Sequence, residues 1–262
     1  MDFVCPMDPD VHAATPGKCP RCGMALVAGI PDPIEFELGL SLKPAAPKPG
    51  TPVVLAFKVV DPRDQQQVKD FQIVHEKLFH MFAVSQDLNW FVHEHPVLGK
   101  DGLFRYTATF PRPGIYRILA DFYPKGGTPQ LLTQTVIVPG APLAGLGVKL
   151  EPDLAAKKSE NMTVELVTDP AQPVAGMKTL MFFQVDPSEG LEPYLGAWGH
   201  MLAASEDLID TIHTHPFLAN GGPQIQFNMI FPRPGVYRVW VQFQRKGIVN
   251  TVKFDIPVTE LK

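Results

Sequence analysis

From residue 35 onward the chain alternates short apolar or period-two runs with clusters of Pro, Gly, Asp and Ser. The first set of runs covers 35–42, 52–60, 71–74, 78–84, 89–93, 103–110, 115–122 and 131–138, and β-branched and aromatic side chains are frequent in it. Runs of this length, bounded by turn residues, predict β-strands, because alternate side chains of a strand leave on opposite faces. About eight strands in roughly 110 residues is the density of an immunoglobulin-like sandwich. No run has the length or the 3.6-residue spacing of a long amphipathic helix.

Pro139-Gly140-Ala141-Pro142 breaks the pattern, which then restarts at 147–150, 162–167, 179–185, 200–204, 210–213, 224–231, 236–243 and 249–258. Two motifs show that the restart is a duplication. His80-Met81 with Ser85-Gln86-Asp87-Leu88 and His93-Glu94-His95-Pro96 returns as His200-Met201, Ser205-Glu206-Asp207-Leu208 and His213-Thr214-His215-Pro216, at an offset of 120. Phe110-Pro-Arg-Pro-Gly-Ile-Tyr-Arg117 returns as Phe231-Pro-Arg-Pro-Gly-Val-Tyr-Arg238 at 121, so one residue is inserted between the motifs in the second copy. The predicted architecture is all-β: a cysteine knuckle at 1–30, one sandwich at 31–140 and a second at 141–262, with 29–38 a Pro-rich linker into the first strand.

Composition narrows the partners. The 262 residues are 45% hydrophobic, enough to bury two cores, and no segment has the apolar length that crosses a bilayer. A net charge of −4, without a Lys/Arg run, gives no field for a phosphate backbone, so nucleic acid is excluded as a partner. All three cysteines, Cys5, Cys19 and Cys22, fall within the first 22 residues, which points to metal ligation rather than a disulfide framework for the repeats.

Residues 4–28 hold too few apolar side chains to fold on a core of their own and need a staple. Cys19-Pro-Arg-Cys22-Gly is a two-residue-spaced pair closed by glycine, the geometry that turns two thiolates toward one ion, and Cys5 is the third thiolate. Met7, Met24, His12 and Asp8 are the candidates for a fourth ligand: a thioether favours Cu(I), an imidazole Zn(II). On Cys5-Pro6-Met7, Pro16-Gly17-Lys18-Cys19-Pro20, Cys22-Gly23-Met24 and Leu26 the segment resembles the heavy-metal-binding domain found beside copper-exporting P-type ATPases and copper/silver efflux adaptors. It departs from that family at Asp8, where the family carries histidine. The tandem His-x-His-Pro repeats also resemble a group of bacterial proteins in which such domains follow this module. The resemblance implies a copper or zinc ion as cargo, a metal transporter or efflux component as partner, and an exported, periplasmic setting. No secretory signal precedes Cys5, and the residues themselves leave the cytoplasm open.

Six of the eight histidines lie in the duplicated stretches. Each stretch reads as a β-hairpin turned at Ser-x-Asp-Leu. His93 and His95, like His213 and His215, are two apart and share a strand face. Whether His80 and His200 join them depends on register: an odd pairing sum gathers the three imidazoles, and an even one sets His80 opposite Glu94. Met81 and Met201 fall on the other face. His75 has no counterpart in the second copy and is an extra ligand or supporting group for the first at most. Tyr116, Tyr237, Arg117 and Arg238 read as structural, with each tyrosine bonding back to the chain as in a tyrosine corner.

The leading reading is a non-enzymatic copper- or zinc-binding protein in metal handling or resistance. Its metal ligands come from Cys5, Cys19, Cys22, Met7, Met24 and His12, and from His80/His93/His95 and His200/His213/His215. Two alternatives fit the same residues: a copper or zinc enzyme working at an open three-histidine site, and a structural tandem immunoglobulin-like interaction module. No catalytic carboxylate, Ser/His/Asp order or phosphate-cradling loop stands beside the triads.

Overall fold

The structure, a computed structural model, describes residues 3–8, 11–28, 34–125, 127–140 and 148–261. The predicted linker positions 29–33 and breaker positions 141 and 142 lie outside them. The chain divides into two compact units, Met1–Leu146 and Gly147–Lys262. All described regular structure is β, as the sequence pattern predicts.

The first unit opens with three two-residue strands, β1 (Phe3–Val4), β2 (His12–Ala13) and β3 (Val27–Ala28), in the order β2-β1-β3. The sandwich follows: β4 (Glu37–Lys43), β5 (Pro52–Val60), β6 (Phe79–Ser85), β7 (Phe91–Glu94), β8 (Val97–Leu98), β9 (Phe104–Thr109), β10 (Gly114–Phe122) and β11 (Gln130–Val138). One sheet runs β4-β5-β9-β8 and the other β11-β10-β6-β7, with antiparallel pairing throughout. Alternation decides which side chains fill the space between them. Val53, Leu55, Phe57 and Val59 of β5 meet Phe79, Met81 and Ala83 of β6 and Tyr116, Ile118 and Ala120 of β10. Each phenylalanine withdrawn there contributes about 1.5–3 kcal/mol of hydrophobic stabilisation.

The second unit repeats the plan. It comprises β12 (Lys157–Lys158), β13 (Thr163–Asp169), β14 (Lys178–Asp186), β15 (Leu191–Glu192), β16 (His200–Ser205), β17 (Thr211–Thr214), β18 (Gln224–Ile230), β19 (Gly235–Arg245) and β20 (Ile248–Val258). Its sheets are β12-β13-β14-β18 and β15-β19-β16-β17, with β20 paired to β19. The molecule is thus a tandem of immunoglobulin-like β-sandwiches behind a small cysteine-bearing sheet. The extra residue of the second copy falls between β17 and β18: Phe104 pairs with Phe57 on β5, and Ile225, 121 positions on, pairs with Phe183 on β14.

Two predicted strands are not strands. Segment 71–74 makes only single bridges, Phe71 to Pro124 and Val74 to Lys77, because the chain turns at once through His75 and Glu76, both at positive φ (46° and 64°). Phe71 spends its ring on the core instead, edge-on to Phe104 and Phe122. Residues 148–150 of the predicted 147–150 run carry no strand; position 147 lies outside the described residues.

Candidate metal sites

The cysteine segment closes on itself through backbone bonds. The Cys5 amide donates to Val11 O, and the Gly23 amide donates to Cys19 O at 2.9 Å, which makes the turn that brings Cys22 back toward Cys19. Gly23 sits at φ 75°, a conformation open to glycine at little cost. Donor atoms of Cys5, Asp8, Cys19 and Cys22 converge within 4.8 Å of one another. Cys5 and Cys22 Sγ are 3.5 Å apart, Cys19 Sγ donates to Asp8 Oδ2 at 3.2 Å, and the Asp8 amide donates to Cys5 Sγ at 3.2 Å. Three sulfurs and one carboxylate in that space suit a four-coordinate ion. Of the other predicted ligands, Met7 and Met24 turn with Cys22 into an apolar cluster with Val74 and Tyr123 of the sandwich, Met24 being 1% exposed. His12 stands exposed on β2, outside the converging group.

That cluster dries the site. Burial raises the Cys5 thiol to about 11, and burial again pushes Cys22 up, with the Cys5 and Asp8 charges adding to it. The Tyr123 phenol is pushed to about 12, first by burial and then by the charges of Cys5 and Cys22, which places the ring of a sandwich residue beside the thiols.

Both histidine hairpins take the odd register. Met81 pairs with Glu94 and Met201 with Thr214, so position 80 falls opposite 95 and position 200 opposite 215. The three imidazoles of each copy therefore share a face, and Met81 and Met201 go to the cores. Since Phe79, Met81 and Ala83 fill the first core, His80 lies on the opposite face of β6, yet it is only 3% exposed. Ring centroids are 5.4 Å apart for His80 and His93, 4.9 Å for His80 and His95, and 4.8 Å for His93 and His95. In the second copy the separations are 5.9 Å for His200 and His213, 4.6 Å for His200 and His215, and 4.5 Å for His213 and His215.

Turn chemistry holds these hairpins. Ser85 Oγ donates to Asp87 Oδ1 and accepts the Trp90 amide, and Leu88 takes φ 56°; Ser205, Asp207, Asp210 and Leu208 repeat the arrangement. Burial works to raise the Asp87 carboxyl, but bonds from Ser85 and Asn89 and the charge of Arg112 outweigh it and hold the group below its ordinary value. Arg112 and Arg233 were not legible as partners. Each comes from the middle of Phe-Pro-Arg-Pro-Gly and pairs with the aspartate of the hairpin turn, at 2.7 Å to Asp87 and 3.1 Å to Asp207. The shared presence of the two motifs in both copies was the available signal. Tyr116 OH donates to Arg112 O at 2.8 Å, the predicted tyrosine corner. His75 approaches His80 edge-on at 6.5 Å.

A family model described as Heavy metal binding domain matches residues 3–28. A second, described as Domain of unknown function (DUF8832), matches twice, at residues 35–140 and 155–260, which together make up most of the chain. The chain belongs to this family. Each DUF8832 copy holds one histidine hairpin, and the heavy-metal-binding segment holds all three cysteines. No curated protein matches the chain. Among solved structures, the Yersinia pseudotuberculosis adhesin InvE is 11% identical at TM-score 0.28, with 85% of this chain and 60% of that one covered. The Escherichia coli adhesin FdeC is 13% identical at 0.28, covering 91% and 68%. Fibronectin(III)-like modules of Clostridium thermocellum CbhA are 12% identical at 0.25, covering 86% and 95%. The chain spans about 60% of the length of the InvE chain. Likenesses this weak say nothing of function. No helix among the described residues is long and apolar enough to cross a membrane.

Proposed function

We propose that the protein is a non-enzymatic transition-metal binding protein in metal handling or resistance, taking copper or zinc at Cys5, Cys19 and Cys22. The observation that carries this reading is the convergence of three thiols and Asp8, with Cys5 and Cys19 buried, within the segment that matches a heavy-metal-binding domain. Soft thiolates beside the thioethers of Met7 and Met24 favour Cu(I), while the Asp8 carboxylate in the fourth place suits Zn(II). The burial that keeps Cys5 and Cys22 protonated means that uptake displaces protons, so affinity rises with pH. The similarity to modules beside copper exporters supports an exported setting and a transporter or efflux component as the giver or receiver of the ion.

Anaerobic titration with Cu(I) and, separately, Zn(II) tests the reading. The intact chain is expected to bind one of them tightly with sulfur-to-metal charge transfer, and a Cys19→Ser/Cys22→Ser variant is expected to lose that binding. Equal affinity in the two proteins rejects the thiolate site, and the ion bound more tightly identifies the cargo.

A further inference from the structure

The two histidine hairpins are built alike in a respect that packing does not require. His80 Nε2 lies 3.0 Å from Val74 O and His200 Nε2 lies 2.9 Å from Tyr194 O, each carbonyl six residues upstream. A carbonyl only accepts, so Nε2 carries the proton in both rings and Nδ1 is left as an acceptor. In each copy that acceptor faces another imidazole of the hairpin, though not the equivalent one: His80 Nδ1 is 3.2 Å from His93 Nε2, and His200 Nδ1 is 3.1 Å from Nε2 of His215, the counterpart of His95. An imidazole tied to a backbone carbonyl through one nitrogen, with the other unprotonated and turned toward its neighbours, is the arrangement that orients histidine as a metal ligand.

The spacing agrees with the same role. Two imidazole nitrogens, each ~2.0–2.1 Å from one tetrahedral ion, stand roughly 3.3 Å apart, and their ring centres roughly 5 Å apart. One nitrogen from each of His200, His213 and His215 already falls within 4.8 Å of the others. His95, His213 and His215 are half-buried, less enclosed than His80, His93 and His200.

We infer that each DUF8832 copy is itself a divalent-metal site, with His80/His93/His95 in the first and His200/His213/His215 in the second. Each takes a borderline first-row cation of the Zn(II) or Cu(II) class rather than the soft ion of the thiolates. Neutral imidazoles without sulfur set that preference. The copies differ in one respect: the residue paired with His80 on β10 is Asp121, whereas the one paired with His200 on β19 is Gln242. The first site therefore carries a carboxylate on its ligand face and holds a doubly charged ion more tightly than the second. This inference stands apart from the thiolate site and survives its loss.

The test uses the full chain with Cys5, Cys19 and Cys22 all changed to serine, titrated with Co(II). The expected result is visible absorption of four-coordinate nitrogen and oxygen ligation, without sulfur charge transfer. A further His213→Asn/His215→Asn change should remove the weaker share of the uptake, and His93→Asn/His95→Asn the tighter share. No visible bands in the thiol-free chain, or bands that survive both pairs of changes, overturn the inference; loss of all uptake on changing His213 and His215 alone overturns the assignment of a site to the first copy. Should the thiol-free chain fail to fold, imidazole 15N shifts of the wild-type chain decide the matter. Zn(II) is expected to move Nδ1 of His80 and His200 to metal-bound values, and unmoved shifts reject the sites.

Discussion

Arg238 and Asp255 face each other across β19 and β20 with both side chains almost wholly withdrawn from water, joined by two bonds of 2.7 and 2.6 Å. Attraction at that depth offsets the loss of hydration only while both partners are present. Asp255→Ala is expected to destabilise the protein by about 3–5 kcal/mol in denaturant unfolding, far beyond the roughly 1 kcal/mol or less of the half-exposed Arg112–Asp87 pair. The structural part of Arg238 was legible from its place in a repeated turn. Its partner was not, because the first copy sets Thr135 opposite Arg117, so no repeated acid marked the site. The cysteines were legible for the opposite reason: their spacing is itself the geometry. Asp8 entered as one of four candidates, and only the folded loop brings its carboxylate to the sulfurs.

At the scale of elements, hairpin positions could be read from apolar runs and Ser-x-Asp-Leu, but their register could be stated only as a condition. A shift of one residue would send every side chain to the other face. What decides it is the turn, where Leu88 and Leu208 adopt φ 56° and 55° under the bonds of the flanking serine and aspartate. The failure at 71–74 has a related cause. His75 and Glu76 occupy a two-residue turn of positive φ that normally calls for Asn-Gly, and non-glycine residues there gave no turn signal. The second copy has Gly196, at φ 73°, where the first has Glu76. Glu76→Gly should therefore stabilise the first copy by about 0.5–1 kcal/mol, read as a raised denaturation midpoint at constant slope.

For the whole molecule, the cysteine site links metal to stability. Burial holds the Cys5 thiol up at about 11 in the folded protein, above its ordinary value of 9.0. Between those values the native state binds more protons than the unfolded one, so the metal-free protein loses stability as pH rises through that window and is unaffected by this group below it. Metal-loaded protein, its thiols already deprotonated, should lack this alkaline loss; thermal unfolding with and without chelator across pH 8 to about 11 checks the difference. Duplication made most of the fold legible, since each copy of the pattern checks the other. It also shows how one position can serve two masters. In the first copy the Val74 carbonyl fixes the tautomer of His80 while its side chain packs on Met24 and Cys22. The second copy has no cysteine segment to satisfy; there Tyr194 keeps the carbonyl in place for His200 and turns its ring against that imidazole at 5.3 Å. The main chain is held to one task in both copies and the side chain has been free to change employer, so divergence between them records which half of the residue each neighbour was using.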